Sequence, residues 1–366
     1  MSRFLALATL GLFLVGFSGC SVDPDPLVVP AAYDTTAFTA NVSVERNLLA
    51  DMQTLATIMK TGRTVGKAVP IDAMQGAYEP IRPFTGSYYA SYVDQYMATL
   101  ARVSGKSYNW QSTPPASTGG VYSGYLFDEH GLEMEQLIEK GLYAAALYNH
   151  AVKLMGGDIS LATIDRIVAT FGAHPSFPNS DKATNNPDKY AAAYCARRDQ
   201  NDGKGLYTQF KNAAITAQAA VRSGSDYNGD RNTAFTTMRT TWERSMMATV
   251  INYTYAVVDG LSATTIDDKT RAGAIHSYGE CVGFLHGWKS VPQSSRIITD
   301  AEINALLVLL QAPADGPYTS FVFWQQPVTY LSKVVEARSS LKAIYGFSDA
   351  EMESFKTNWV AAQGRQ

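Results

Sequence analysis

Residues 131–155 read GLEMEQLIEKGLYAAALYNHAVKLM and are closed by Gly156-Gly157. Nothing in the run breaks a helix, and a glycine pair is a strong stop signal. Outward from it the same pattern returns. Val44 to Lys60 places Leu48, Met52, Leu55 and Met59 at steps of four, three and four, an amphipathic stripe that ends at Thr61-Gly62. Tyr88 to Arg102 carries Tyr92, Tyr96 and Leu100 at steps of four. Ser160 caps a short helix ending near Phe171. Gly205 to Arg222, Asn232 to Val258, Ile266 to Trp288 and Thr299 to Leu310 follow, and Gln326 to Tyr345 and Ser348 to Ala362 close the chain. No alternating strand pattern with a hairpin signal stands out. The fold class is all-α, built from helical bundles.

Composition narrows what such a bundle can do. Of 366 residues, 46% are apolar and only 17% charged, with a net charge of −3. Disordered chains need the opposite balance. A general nucleic-acid binder needs a concentrated basic surface, so nucleic acid is not an expected partner. Much of the polarity is Tyr, Ser, Thr, Asn and Gln.

The N-terminus carries an address. Arg3 precedes an apolar run from Phe4 to Phe17, and Ser18-Gly19 lead to Cys20. Residues 1–19 read as a signal peptide. The small residues before Cys20 resemble a bacterial lipobox, with Phe17 where Leu is usual, which makes Cys20 the lipidated first residue. Residues 20–32 are a Pro-containing tether. Ser21 resembles the residue that follows the lipidated Cys in lipoproteins sent to the outer membrane. The expectation is a body of residues 33–362 on a lipid leash in the bacterial envelope, with a two-bundle division near 172–204. The envelope permits a disulfide between Cys195 and Cys281. The alternative is two buried free thiols, with metal ligation behind both.

Two long connections interrupt the helices. Residues 104–128 are rich in Gly, Ser and Pro and contain Trp110 and Tyr122; residues 172–190 are rich in Pro and Asn. Loops this long are often functional.

Two clusters of ionisable residues stand on apolar helix faces. His276 and Glu280, four apart, share one face of a helix, and an imidazole and a carboxylate at that spacing can share a metal ion. Gly283 and Gly287 continue the stripe and let another helix approach closely. His286 lies toward the other end of the same face. Glu133, Gln136 and Lys140, at zero, three and seven, also share a face. They read as a buried polar ladder that holds helices in register or lines a cavity, or else as a solvated charged face. Asp128, Glu129 and His130 ahead of that helix form a weaker metal candidate, and equally complement a helix N-terminus. Residues 225–231 (SDYNGDR) superficially resemble a calcium loop. Arg231 and Thr237 stand where the loop needs Gly and Glu, so the segment reads as a turn between helices. A nucleophile elbow, a phosphate loop, HExxH and CxxC are all missing from the sequence. His150 and His174 have uninformative neighbourhoods.

Several segments together resemble one family. GLEMEQLIEKGLYAAALYNHA (131–151), YAAAYCARRD (190–199), RSGSDYNGDR (222–231), TTWERSMMATVINY (240–253) and AIHSYGECVGFLHGWK (274–289) stand in the same order as in domain-of-unknown-function family 4856. That family consists of bacterial envelope lipoproteins and is distantly similar to imelysin-like proteins. The resemblance covers nearly the whole mature chain. It implies an all-helical, two-bundle fold and a link to iron uptake through an outer-membrane transport receptor. Imelysin-like proteins carry Gly-x-His-x-x-Glu. Here Gly273, His276 and Glu280 stand at different spacings, so that ligand pair does not carry over intact. The family's own His-x-x-x-Glu helix matches at His276 and Glu280, and its Glu/Gln/Lys helix at Glu133, Gln136 and Lys140.

The leading expectation is a non-enzymatic envelope lipoprotein that handles a ligand, a divalent metal or iron among the candidates. It requires Glu133, His276 and Glu280 to converge. The alternatives are a metal-dependent peptidase or hydrolase of imelysin type, and a surface interaction protein that uses its long aromatic loops.

Overall fold

The computed structural model describes residues 25–112 and 118–366. The signal peptide and Cys20 lie outside the described residues. In chain order the helices are α1 (Phe38–Asn41), α2 (Ser43–Lys60), α3 (Ile71–Tyr78) and α4 (Ser87–Val103). A ribbon of β1 (Gly120–Tyr122) and β2 (Tyr125–Phe127) follows. Next come α5 (Met134–Leu142), α6 (Asn149–Met155), α7 (Leu161–Phe171), α8 (Tyr190–Arg198) and α9 (Leu206–Ser223). The remainder carries α10 (Asn228–Leu261), α11 (Asp268–Gly287), α12 (Asp300–Leu309), α13 (Val322–Gln325), α14 (Pro327–Tyr345), α15 (Asp349–Ser354) and α16 (Trp359–Ala362). The all-α reading holds.

Local chemistry sets these boundaries. The α2 stripe of Leu48, Met52, Leu55 and Met59 is fully inside. Ser160 and Thr163 form a reciprocal capping box at the start of α7, and Gly172 ends it in the left-handed conformation, a cap of about 1 kcal/mol. Thr299 with Glu302, and Ser348 with Glu351, build the same box on α12 and α15. Asp230 lies in the first turn of α10, so SDYNGDR is the expected turn entering a helix.

The 34-residue α10 is the spine. It packs on α8, α9, α11 and α14, and α11 in turn packs on α5 and α12. One continuous apolar core runs from Tyr33 to Val360. Within the segment 172–204, α8 packs against α10 and joins that core.

Four features differ from the sequence reading. A hairpin sits inside 104–128: Tyr122 pairs with Tyr125 around Ser123 and Gly124, both at positive φ, the geometry of a tight primed turn. Its short strands lack the length for a visible alternation. Residues 348–362 form two short helices rather than one, broken between α15 and α16. Cys195 and Cys281 do not pair; both are free and buried. They belong to α8 and α11, each of which packs on α10, and Cys281 Sγ faces the Val250 carbonyl oxygen at 3.6 Å. Finally, the run from 131 begins its helix at Met134 and passes through a π-helical turn, Tyr143–Tyr148, between α5 and α6. That turn frees the Ala145 carbonyl, which accepts from Gly86 N–H at 2.8 Å.

The described aromatics of this loop are tied down. Trp110 Nε1 donates to the Tyr122 hydroxyl at 3.1 Å, and that hydroxyl donates to Asp268 at 2.5 Å. The Arg271 guanidinium covers the Trp110 ring at 4.2 Å, and both aromatics pack on the core. This packing disfavours a contact surface made of Trp110 and Tyr122.

Candidate functional site

The seam between α5 and α11 places the candidate residues. Gly279, Gly283 and Gly287 recur at steps of four along α11 and face α5. A Cβ built on Gly283 would stand 2.4 Å from the Gln136 carbonyl oxygen, and one on Gly287 would stand 2.2 Å from that of Gly141. Only glycine allows this approach, and it brings the two polar faces together.

Glu133, immediately before α5, is fully buried. Its Oε2 lies 2.6 Å from His276 Nδ1, and its Oε1 accepts from Arg63 at 3.0 Å. Arg63 also donates to Glu135 at 2.7 Å. The other imidazole nitrogen of His276 faces Glu280 at 3.9 Å. Lys140 Nζ sits 3.3 Å from Glu280, 2.7 Å from Glu139 and 2.9 Å from the Tyr194 hydroxyl. Glu139 reaches Lys60 at 3.4 Å. The result is an alternating chain of charge from Arg63 through Glu133, His276, Glu280, Lys140 and Glu139 to Lys60. Tyr125 of the hairpin stacks on the His276 ring at 4.5 Å, and Arg63 covers the Tyr125 ring at 4.9 Å.

Mutual pairing sets the protonation states. Burial pulls the His276 imidazole down, but the Glu133 carboxylate outweighs it with help from Glu280, so its pKa is raised above 6.5. Burial pushes Glu139 up, yet Lys140 and Lys60 hold it down to about 2. Burial opposes the charge on Lys140; Glu139, then the neighbouring tyrosines and Glu280, keep its pKa high. Burial and then Glu133 raise Glu135, against the pull of Arg63.

Glu133, His276, Glu280 and Lys140 therefore converge. Gln136 lies beside them, donating weakly to Glu135 at 3.4 Å, while its Oε1 is buried with no partner among the described residues. These residues do not fit a metal ion. The two carboxylates flank opposite nitrogens of one imidazole, and each already faces a cation, Arg63 or Lys140. Among the described residues no group of three or more His, Cys, Asp or Glu is arranged to hold a metal. A catalytic metal needs three protein ligands and an open position, which the Glu133, His276 and Glu280 arrangement does not offer. His286 does not join the chain. It lies among tyrosines, with Nε2 3.0 Å from the Tyr88 hydroxyl and Nδ1 2.9 Å from that of Tyr96. Burial, then Lys289, lower its pKa to about 3. His130 and Asp128 belong to the turn before α5, where Asp128 accepts from the backbone N–H groups of His130 and Leu132 at 2.9 and 2.8 Å.

At its Glu139 end the chain of charge opens on a groove of about 860 Å³. One wall is α2, with Leu49, Met52 and Met59; α5 supplies Ile138, Glu139 and Leu142. The 172–190 connection and α8 form the far wall, with His174, Asp181, Tyr190 and Tyr194. Tyr143, first residue of the π-helical turn, also lines it, and such turns are frequent at functional sites. Phe177 and Tyr190 adopt positive φ, 49° and 48°, a costly state for bulky residues. The Tyr190 hydroxyl holds that geometry by donating to the Leu49 carbonyl across the groove. The sequence reading found the 172–190 connection but not the groove, because its walls come from segments far apart in the chain.

Compared with known proteins, the chain matches no family model, no curated protein and no solved structure.

Proposed function

We propose that this chain is a non-enzymatic, lipid-anchored protein of the bacterial envelope that binds a ligand in the groove between α2, α5 and α8, beside an outer-membrane transport receptor. The observation that carries the binding reading is Glu139. It lines the groove and is also the last carboxylate of the buried chain that leads through Lys140 and Glu280 to His276. A concave site that combines apolar walls with fixed polar groups and perturbed titrations is where ligands bind. The N-terminal run ending in Ser18-Gly19-Cys20 supports the anchor and the envelope setting. A ligand other than a bare metal ion fits best, because the cluster's donors are already shared among Arg63, Lys140 and His276.

The test is saturable binding of anilinonaphthalene sulfonate to the purified chain lacking residues 1–24. Ala193 lines the groove, so the indole of Ala193→Trp intrudes on it. One saturable site lost in this variant, with the helical circular dichroism unchanged, supports the reading. Binding that never saturates, or that survives Ala193→Trp intact, overturns it.

A further inference from the structure

Independently of the groove, we infer that the protein has a second binding site, a polar pocket where the end of α8 and the start of α9 meet α15, and that it takes phosphate, free or as a small monoester. The pocket measures about 410 Å³ and shares no lining residue with the groove.

Arg198, the last residue of α8, lines the pocket and is 7% exposed. Among the described residues no carboxylate pairs with it, because each acid nearby is committed elsewhere. Asp199 gives Oδ2 to the N–H groups of Tyr207 and Thr208 at 2.8 and 3.2 Å, and Oδ1 to that of Asn201 at 2.6 Å. Asp202 accepts from the Lys204 N–H at 2.9 Å. Glu351 caps α15 through Ser348 and faces Arg244 at 3.5 Å. Burial pulls the Arg198 pKa down to about 10, which still leaves the guanidinium charged at neutral pH. A buried cation without a counter-charge is costly, so it calls for an anion. Arg198 Nη1 donates to the Phe355 carbonyl, and Nε is closed off with no partner. Nη2 is neither closed off nor hydrogen-bonded among the described residues, and is the nitrogen that the pocket receives.

Ser354 of α15 points to the same chemistry by a separate route. Its Oγ accepts from Gln200 Nε2 at 2.8 Å and from Trp359 Nε1 at 3.0 Å. A serine hydroxyl has two acceptor sites and one proton. With both acceptor sites used, Ser354 can only donate, and among the described residues no acceptor takes its proton. Lys204, on the turn between α8 and α9, also lines the pocket; it is exposed and has no ion-pair partner among the described residues. Arg198, Ser354 and Lys204 thus offer three donors from three segments, two of them cationic. The ligand that satisfies them carries negative charge and only accepts. A phosphate spreads its oxygens tetrahedrally and meets donors from several sides, whereas the two oxygens of a carboxylate suit a single guanidinium fork. The volume lies within the usual range for small-molecule sites, so a small monoester fits as well as the free ion.

Isothermal titration calorimetry on the purified chain lacking residues 1–24 tests this with inorganic phosphate, glycerol 3-phosphate and acetate, at constant ionic strength. One saturable site is expected for the better of the two phosphates, at least about tenfold tighter than acetate. Tighter binding of inorganic phosphate assigns the site to the free ion, and tighter binding of glycerol 3-phosphate assigns it to a monoester. Arg198→Met is expected to abolish binding. Lys204→Ala and Ser354→Ala are each expected to weaken it by about tenfold with the helical circular dichroism unchanged, and these two decide the matter if Arg198→Met does not fold. Failure of both phosphates to saturate, acetate bound as tightly as phosphate, or phosphate affinity kept in both Lys204→Ala and Ser354→Ala overturns the site. The dye site lost in Ala193→Trp is read separately, so the groove stands or falls on its own test.

Discussion

His276 of α11 and Glu133 at the head of α5 meet at 2.6 Å, Nδ1 to Oε2, while Arg63 takes the other oxygen of the same buried carboxylate at 3.0 Å. One acid thus ties together three segments: the turn after α2, the start of α5 and the middle of α11. Removing either cation leaves the fully buried Glu133 carboxylate with only one of its two partners, and breaking a buried pair from one side is costly.

The His276 titration follows from this pair. Its folded pKa is raised above 6.5, with the pull of burial outweighed by Glu133. A raised pKa contributes stability that is fully present below the unfolded value, about 6.5. That contribution fades as pH rises through the folded pKa. Titration of the ring carbon proton by NMR should place the His276 midpoint above 6.5 and move it down in Glu133→Gln. An unchanged midpoint in the variant would mean that Glu133 does not set the protonation of the ring.

Lys140 is buried with Glu139 on one side and Glu280 on the other. Lys140→Met should lower unfolding free energy by about 3–5 kcal/mol, the cost of breaking a buried pair from one side. Adding Glu280→Gln should recover part of the loss, because Glu139 keeps Lys60 while Glu280 no longer needs a cation. Urea melts of the two variants check this. A double variant no more stable than Lys140→Met would show that the two groups do not interact.

What the sequence made legible follows physical range. The α2 stripe and the His276–Glu280 and Glu133–Gln136–Lys140 faces are local periodicities, and the structure brings Glu133, Lys140, His276 and Glu280 together although Glu133 stands just before α5 rather than on it. Gly283 and Gly287 were legible for the same reason, since a small-residue step of four has one structural use. Arg63 was not, because it reaches Glu133 from 70 residues away and nothing near it in the chain announces the pairing. Glu139 and Tyr194, which carry the chain of charge into the groove, are ordinary helix residues until α2 and α8 flank them. The π-helical turn leaves no composition signal, as Tyr143 to Tyr148 reads as plain helix.

Cys195 and Cys281 should resist alkylation. Burial pushes both thiols well above the ordinary range, and they lie on separate helices. Only the thiolate reacts. Iodoacetamide should therefore leave both unmodified in the native chain and label both in denaturant, as read by intact mass. Native labelling of either, or a mass two units lower that reducing agent restores, would contradict the buried free thiols.

The α5–α11 seam makes the sharpest stability prediction, because its glycines differ in room. A Cβ on Gly279 would meet Glu133 Cβ at 3.4 Å, ordinary contact, whereas one on Gly283 or Gly287 would strike backbone at 2.4 or 2.2 Å. Gly273, earlier on the same helix, has nothing within 4 Å. Alanine favours a helix interior over glycine by about 1 kcal/mol, so Gly273→Ala should stabilise slightly and Gly279→Ala should be near neutral. Gly283→Ala and Gly287→Ala should destabilise by about 1–3 kcal/mol, the usual cost of overpacking, and by more if α11 cannot shift. The Gly283 variant carries a second consequence. Its methyl would push against Gln136 and Lys140, widening the Glu280–Lys140 contact and drawing His276 from Glu133. Its His276 midpoint should therefore fall toward 6.5, while Gly273→Ala leaves that midpoint in place. Thermal melts and the same NMR titration read both effects, and equal stability across the four variants would refute the close seam.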